Sequence, residues 1–281
     1  MESSYLLRLA KDRIFFALIV FFASLTILPL LFILFYILKN GLTVISWRFL
    51  TTLPKPAGEP GGGISNAIVG TALLVLTAGL LSIPFGILVG IYLSENPNGL
   101  MARWVRVSNR ILQGVPSIVA GIIAYVWIVK TSGGFSVFSG GIALGMLMIP
   151  IVVQSTEETL KLVPGALKEA SLALGASYTS TILKVIVPTG LSGIVTGILL
   201  GVSRVIGETA PLLFTVFGNP FMSYRLFKPA NALPLLIFNY ALSPYHSWQD
   251  LAWGASVVLI GLVMTLNLIS KFLVAKWKVR S

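Results

Sequence analysis

Six apolar segments, each long enough to cross a lipid bilayer, constrain this chain more than any other feature. They cover about residues 14–38, 66–94, 112–130, 135–155, 191–216 and 251–275. The first segment has 25 residues and spans about 37 Å as a helix. The 281-residue chain is 56% hydrophobic and only 10% charged, so it cannot cover a soluble domain with polar side chains. We therefore expect an all-α integral membrane protein with six transmembrane helices.

The net charge of +11 reflects membrane topology rather than nucleic-acid binding. With both termini in the cytoplasm, thirteen of the 20 Lys and Arg residues lie on the cytoplasmic side, six lie outside and Arg204 lies within the membrane. This excess follows the positive-inside rule. It predicts a cytoplasmic N-terminus at 1–13, a single transmembrane domain at 14–275 and a cytoplasmic C-terminus at 276–281.

Residue types restrict the chemistry that the chain can perform. The sequence has no cysteine and one histidine, His246, which excludes disulfides, thiolate metal sites and multi-histidine metal sites. No Ser and His or paired Asp constellation lies at membrane depth, so we predict no catalytic residues, although an intramembrane enzyme remains a rival class. A phosphate-binding Gly-x-x-x-x-Gly-Lys-Ser/Thr motif is also absent. Any ATP hydrolysis therefore belongs to a partner.

Two segments outside the six spans have helical character. Residues 99–113 place Leu100, Trp104 and Ile111 opposite several arginines, which is typical of an amphipathic helix at the membrane interface. The apolar run Ala232–Leu242 is too short to span the bilayer. It is interpreted as a re-entrant helix or a surface helix.

The fifth apolar segment contains two charged residues, Arg204 and Glu208. An ionised side chain at the bilayer centre costs about 2.5–3.5 kcal/mol and normally faces a bundle interior or a wet path. The spacing of four places both side chains on one helical face. Gly207 leaves room beside them, and Pro211 deprives the Gly207 carbonyl of its helical partner, so we expect a bend. The pair either belongs to a path for ions or polar solutes or is a structural ion pair holding helices in register.

The main soluble feature is a cytoplasmic loop at residues 156–190. Residues 169–174 favour a helix that Gly175 ends, and residues 177–187 favour a second helix before Pro188. The pattern Glu169-Ala170-Ser171, Gly175 and Val185-Ile186-Val187-Pro188 resembles the EAA loop of ABC importer permeases, with Ser171 and Val187 as mild departures. The resemblance implies that this loop docks on an ATPase subunit through Glu169, Ala170, Ser171, Gly175 and Pro188. Without that spacing, Glu169 would be an ordinary solvated helix charge.

Further motifs resemble the phosphate-specific (Pst) group of these permeases over residues 60–275. The matching stretches are Gly61-Gly62-Gly63-Ile64, 66–71, 91–95, 115–121, 193–197 and Gly207-Glu208-Thr209-Ala210-Pro211-Leu212-Leu213-Phe214-Thr215. The short first outer loop and Ala232-Leu233-Pro234 resemble the PstA subunit more than PstC. An importer of sulfate, molybdate or phosphonate, the PstC-type subunit and a purely structural assembly subunit remain alternatives.

The resemblance implies a fold, partners and a site. The fold is the type I ABC importer permease, in a bacterial or archaeal cytoplasmic membrane. The partners are a PstC-like permease, a PstB-like ATPase dimer that binds ATP and Mg, a PstS-like external phosphate-binding protein and membrane lipid, with no cofactor bound by this chain. Arg204 offers a planar fork suited to phosphate, and Glu208 tempers its affinity or accepts a proton. The expected substrate-pathway residues are Ser117, Ser203, Arg204, Gly207, Glu208 and Thr209. Ser117 can equally belong to an ordinary helix entry after Pro116.

Overall fold

The computed structural model describes the backbone of residues 2–59 and 61–277 and the side chains of residues 11–59 and 61–272. Within these ranges the regular structure is helical, with no strand. The helices are α1 (Glu2–Gly41), α2 (Trp47–Thr51), α3 (Ser65–Glu95), α4 (Leu100–Gly114), α5 (Ser117–Ala124), α6 (Lys130–Ser132), α7 (Val137–Lys161), α8 (Gly165–Ala173), α9 (Tyr178–Thr181), α10 (Val187–Thr189), α11 (Leu191–Ile206), α12 (Ala210–Thr215), α13 (Leu233–Ala241) and α14 (His246–Trp277). Two π-helical turns, Tyr125–Val129 and Ile182–Ile186, join α5 to α6 and α9 to α10. The predicted C-terminal tail at 276–281 lies outside the described residues beyond Trp277.

Helix length and hydropathy support the predicted number of spans. Over the described residues, α1, α3, α7 and α14 are each long and apolar enough to cross a membrane. Two bent pairs raise the number to six if each pair is one span: Leu100–Gly114 with Ser117–Ser132, bent by 102°, and Tyr178–Thr189 with Leu191–Ile206, bent by 67°. The all-α, six-span prediction is confirmed, but the third and fifth spans are not straight helices.

Prolines account for two corrections to the predicted span limits. The predicted span at 112–130 is interrupted, because α4 ends at Gly114 and α5 begins at Ser117. Val115 precedes Pro116 and adopts the extended backbone that this position favours. The predicted span at 191–216 is also interrupted, because α11 ends at Ile206 and α12 begins at Ala210. This second break lies where Pro211 predicts a bend.

The centre of the bundle is formed by α3, α7 and α11. Glycines allow their backbones to approach closely, as the sequence predicts. A Cβ atom at Gly90 of α3 would press into Thr156 of α7, and one at Gly197 of α11 would overlap the Ser155 hydroxyl. Around these contacts, Leu74, Leu144 and other apolar side chains form a fully buried core. This rigid centre positions the break between α11 and α12.

One face of the short apolar helix α13 is buried in the protein. Leu233, Leu235 and Leu236 are fully buried, and α13 packs against α14 and α3. The Leu233 N–H donates a hydrogen bond of 2.8 Å to Thr71 Oγ1 of α3. Phe238 and Ala241 on the other face are exposed, so the segment is helical as predicted, and its re-entrant or surface location stays a prediction.

The amphipathic segment forms a helix, α4, as predicted. Leu100, Trp104 and Ile111 are exposed, whereas Ala102 and Arg106 face α3 and α7. Helix α4 packs against α7 and α3. Its location at the membrane surface stays a prediction.

Candidate functional site

The charged residues of the fifth segment lie at a break between two helices. Arg204 is in the last turn of α11, Gly207 caps this helix, and Glu208 lies in the turn before α12. The Arg204 Nε and Glu208 Oε1 atoms are 3.7 Å apart, with side chains 44% and 19% exposed. Within the described part of the chain, Arg204 has no side-chain hydrogen bond to a protein atom. Its donors can therefore reach a solute.

The other predicted pathway residues differ in whether they face the space beside this break. A Cβ atom at Gly207 would meet open space, with only the Arg204 carbonyl oxygen within 4 Å. Thr209 is the N-cap residue of α12, although its side chain makes no capping hydrogen bond. Ser203 points elsewhere, because its hydroxyl donates to Asn267 Oδ1 of α14 at 3.2 Å. Ser203 therefore holds α11 against α14.

Ser117 approaches the break through the packing of α5. A Cβ atom at Gly121 would press into Pro211, so α5 and α12 are in backbone contact. Ser117 lies one turn before Gly121, on the same face of α5, and begins that helix. The predicted third-span motif therefore contacts α12 through Gly121, and the place of Ser117 in a substrate path stays a prediction.

A cavity of about 370 Å³ beside Arg204 contains polar residues that the sequence analysis did not select. Gln113 comes from α4, and Gln154 and Glu158 come from α7. Gln154 and Glu158 are four residues apart at the end of the fourth apolar segment. This polar i,i+4 spacing is the signal that could have identified them.

A second charged cluster joins α4 to α7 and α3. Glu157 is buried, and its Oε1 atom accepts hydrogen bonds of 2.6 Å from Arg106 Nε and from Lys161 Nζ. Arg106 also donates to the carbonyl oxygens of Leu93 at 2.7 Å, Pro97 at 2.8 Å and Asn96 at 3.3 Å. Its guanidinium is therefore fully engaged in holding α4 on the bundle.

The loop at residues 156–190 has the predicted two-helix form. Helix α8 (Gly165–Ala173) contains Glu169, Ala170 and Ser171. Gly175 has a φ of +85°, a left-handed conformation that favours glycine. The second helix departs from the prediction, because it continues through Pro188 to Thr189. Pro188 has no N–H and therefore removes one helical hydrogen bond. The π-turn Ile182–Ile186 lies just before Pro188, and the Val187 N–H donates a hydrogen bond to the Ile182 carbonyl there.

The loop presents an exposed surface that includes large apolar side chains. Glu169 and Ala170 are exposed, and Leu162 and Leu174 are 84% and 89% exposed. Ser171 turns inward, with its Oγ atom 2.9 Å from Thr181 Oγ1. Ser171 therefore fixes the angle between the loop helices, whereas Glu169 and Ala170 are available to a partner.

A polar cluster fastens the loop to the end of α3. Lys168 of α8 and Tyr178 of α9 both donate hydrogen bonds to Glu95 Oε2. Lys168 Nζ also lies 4.7 Å from the centre of the Tyr178 ring. The hydrogen bond to Glu95 raises the pKa of Lys168, against a smaller lowering by burial. These contacts connect the loop to α3, a connection that the sequence analysis missed.

Comparisons with known proteins give the family. Residues 82–276 match the model of the binding-protein-dependent transport system inner membrane component. The Yersinia pestis phosphate transport system permease protein PstA is 42% identical over 250 residues, covering 89% of this chain and 85% of that protein. A probable PstA of Methanocaldococcus jannaschii is 38% identical over 261 residues, covering 90% of each.

A solved structure supports the fold independently. The inward-facing MetNI methionine ABC transporter has a chain with a TM-score of 0.62 and 19% identity. The match covers 76% of this chain and 94% of that one. The chain therefore belongs to the family of binding-protein-dependent transport system inner membrane components, and its curated relatives place it in the PstA group of permeases.

Proposed function

We propose that this protein is a membrane-spanning subunit of an ATP-driven importer of inorganic phosphate. The observation that carries the substrate assignment is Arg204, a half-exposed guanidinium at a helix break. A guanidinium matches phosphate oxygens with two parallel hydrogen bonds. The names of the PstA relatives support the same substrate.

Glu208 limits how tightly Arg204 holds an anion. At 3.7 Å, its carboxylate partly neutralises the guanidinium without occupying it through a hydrogen bond. A transported anion must be attracted and then released, so a fully unopposed cation would hold it too long. Glu208 can also accept a proton from hydrogen phosphate. The alternative role as a structural ion pair fits less well with the open space at Gly207.

The importer assembles from four kinds of subunit in this proposal. This chain pairs with a PstC-like permease, two PstB-like ATPase subunits bind ATP and Mg, and a PstS-like protein delivers phosphate from outside. ATP-driven closure of the ATPase pair pushes on the loop at 156–190 and exposes Arg204 first outward and then inward. The single transmembrane domain at 14–275 has both ends in the cytoplasm, which reagent labelling of cysteines placed near each end would test.

Reconstitution with the three partner proteins tests this function directly. Vesicles containing the complex should accumulate inorganic phosphate only when ATP is supplied. Arg204→Ala should abolish uptake while the complex still assembles, and normal uptake in this variant would remove Arg204 from the mechanism. Competition with sulfate, molybdate and phosphonate would separate phosphate from other oxyanions, since the preferred substrate should compete most strongly.

Substitution of Gly175 tests whether the loop at 156–190 couples the ATPase to transport. Valine resists the left-handed conformation of this residue, at a cost of about 1–2 kcal/mol. Gly175→Val should weaken copurification with the ATPase or uncouple ATP hydrolysis from uptake. Gly175→Asn is the matched control, because asparagine tolerates this conformation. Unchanged copurification and uptake in the valine variant would refute the assignment.

A further inference from the structure

The space around Arg204 continues into a second cavity. The first cavity, of about 370 Å³, is lined by Arg204, Gln113, Gln154 and Glu158. The second, of about 270 Å³, shares Gln113, Gln154 and Glu158 and adds Arg110. The shared residues form the boundary between the two cavities. The first cavity also has an apolar wall formed by Ile151, Leu162 and Leu200. The shared side chains form a polar surface beside this wall, which leads from Arg204 along α7 to Arg110 of α4.

Side-chain amides line this surface in a hydrogen-bonded row. Gln113 Nε2 donates to Gln154 Oε1 at 2.6 Å, and Gln154 Nε2 donates to Glu158 Oε1 at 2.7 Å. Each amide NH₂ group has two hydrogens and uses one of them in this row. The other hydrogen of each amide remains for a solute. The row thus offers neutral donors between two charged ends.

The charges of the two cavities identify the cation at the far end. Arg106 and Lys161 are both engaged with Glu157. Arg110 is exposed and, among the described residues, forms no ion pair. Arg204 lies at the near end, and Glu158 lies between the two arginines. An anion leaving Arg204 therefore meets amide donors first and Arg110 next.

We propose that Arg110, Gln113 and Gln154 form the release path of the transported oxyanion, which leads towards the side of the protein that carries the loop at residues 156–190. This inference rests on the proposed function and extends it from Arg204 to residues outside the fifth segment. Neutral donors pass the anion without holding it strongly, and Arg110 lowers its energy at the exit. Glu158 opposes both cations and prevents the anion from remaining in the cavity.

The absence of cysteine from the chain makes this path measurable. A single cysteine introduced as Gln154→Cys can be modified in the assembled complex, in nanodiscs without nucleotide, by anionic and cationic methanethiosulfonate reagents. With each rate divided by the rate of the same reagent with a free thiol in solution, the anionic reagent should react faster than the cationic one. Adding Arg110→Gln should slow the anionic reagent about fivefold, the effect of one unit charge about 4 Å away in water, and should not slow the cationic reagent.

Three controls determine what each result means. Arg103→Gln removes an exposed arginine two turns earlier on α4, outside both cavities, and should leave the anionic rate unchanged. Arg110→Lys should retain the preference for the anionic reagent, because it keeps the charge. Inorganic phosphate should slow modification in the chain that carries only Gln154→Cys.

The outcomes separate this inference from the proposed function. Equal changes with both reagents would show that Arg110 acts on structure, and no change in the anionic rate would remove it from the path; either result overturns the inference. Protection by sulfate or molybdate but not by phosphate, with the Arg110 effect intact, would support the path and refute phosphate as the substrate.

Discussion

The pairs Arg106–Glu157 and Arg204–Glu208 have the same charges but opposite surroundings. The first is joined by a hydrogen bond of 2.6 Å, with side chains 19% and 10% exposed, and Arg106 also donates to three backbone carbonyls. The second is 3.7 Å apart and more exposed. Sequence spacing favours the second pair as an ion pair, yet the first is the more tightly bound. An arginine whose donors are hydrogen-bonded within the protein holds helices together, whereas one with free donors can bind a solute.

The largest effect on stability is expected from Arg106→Ala. Removing this partner leaves Glu157 buried with only Lys161 and removes a donor from three carbonyls. The free energy of unfolding should fall by about 3–5 kcal/mol, as for other broken buried pairs. Denaturant unfolding of the purified complex would measure it, with Arg103→Ala as the matched control. A loss below about 1 kcal/mol would contradict the structural role.

Replacing each acid by its amide compares the two pairs directly. Glu157→Gln removes charge from a buried hydrogen-bond acceptor, so the free energy of unfolding should fall by about 1.5–3 kcal/mol. Glu208→Gln should change it by less than about 0.5 kcal/mol, because that pair has no hydrogen bond and is partly exposed. The same unfolding measurement applies to both. Equal losses would remove the distinction between the pairs.

Arg204→Lys tests whether phosphate binding at the Arg204–Glu208 pair depends on charge alone or also on the shape of the guanidinium. Lysine keeps the positive charge but loses the planar fork that binds two phosphate oxygens. Phosphate uptake by reconstituted vesicles should fall about tenfold, which corresponds to about 1.4 kcal/mol. Unfolding of the complex should be unchanged. Uptake equal to that of the unsubstituted protein would show that charge alone is sufficient.

A smaller effect than that of Arg106→Ala is expected from Lys161→Met. Lys161 is 43% exposed and pairs with Glu157 four residues earlier on the same helix. Because Lys161 is half-exposed but bonds to a buried carboxylate, its hydrogen bond should contribute about 0.5–1.5 kcal/mol, and methionine preserves most of the side-chain length. The unfolding free energy should fall by that amount, far less than for Arg106→Ala. A loss of several kcal/mol would mean that Lys161, rather than Arg106, stabilises the buried carboxylate.

The amino-acid sequence alone determined the fold class, the six apolar segments and the helical loop with its glycine turn. These features follow from local quantities: the length of an apolar run, the missing N–H of proline and the left-handed conformation that glycine accepts. The bend near Pro211 was predictable for the same reason. The interruption at Pro116 was not, because proline is equally compatible with the start of a straight helix.

Only the tertiary structure decided which charged and polar side chains meet. Arg106 and Glu157 are 51 residues apart, Gln113 and Gln154 are 41 apart, and Glu95 and Lys168 are 73 apart. No local pattern encodes such pairings, because they depend on how α3, α4 and α7 pack through their small residues. The sequence predicted that Arg204 is a costly charge in the membrane. Only the packing of the helices decided that its donors have no hydrogen-bond partner among the described residues, whereas those of Arg106 are hydrogen-bonded.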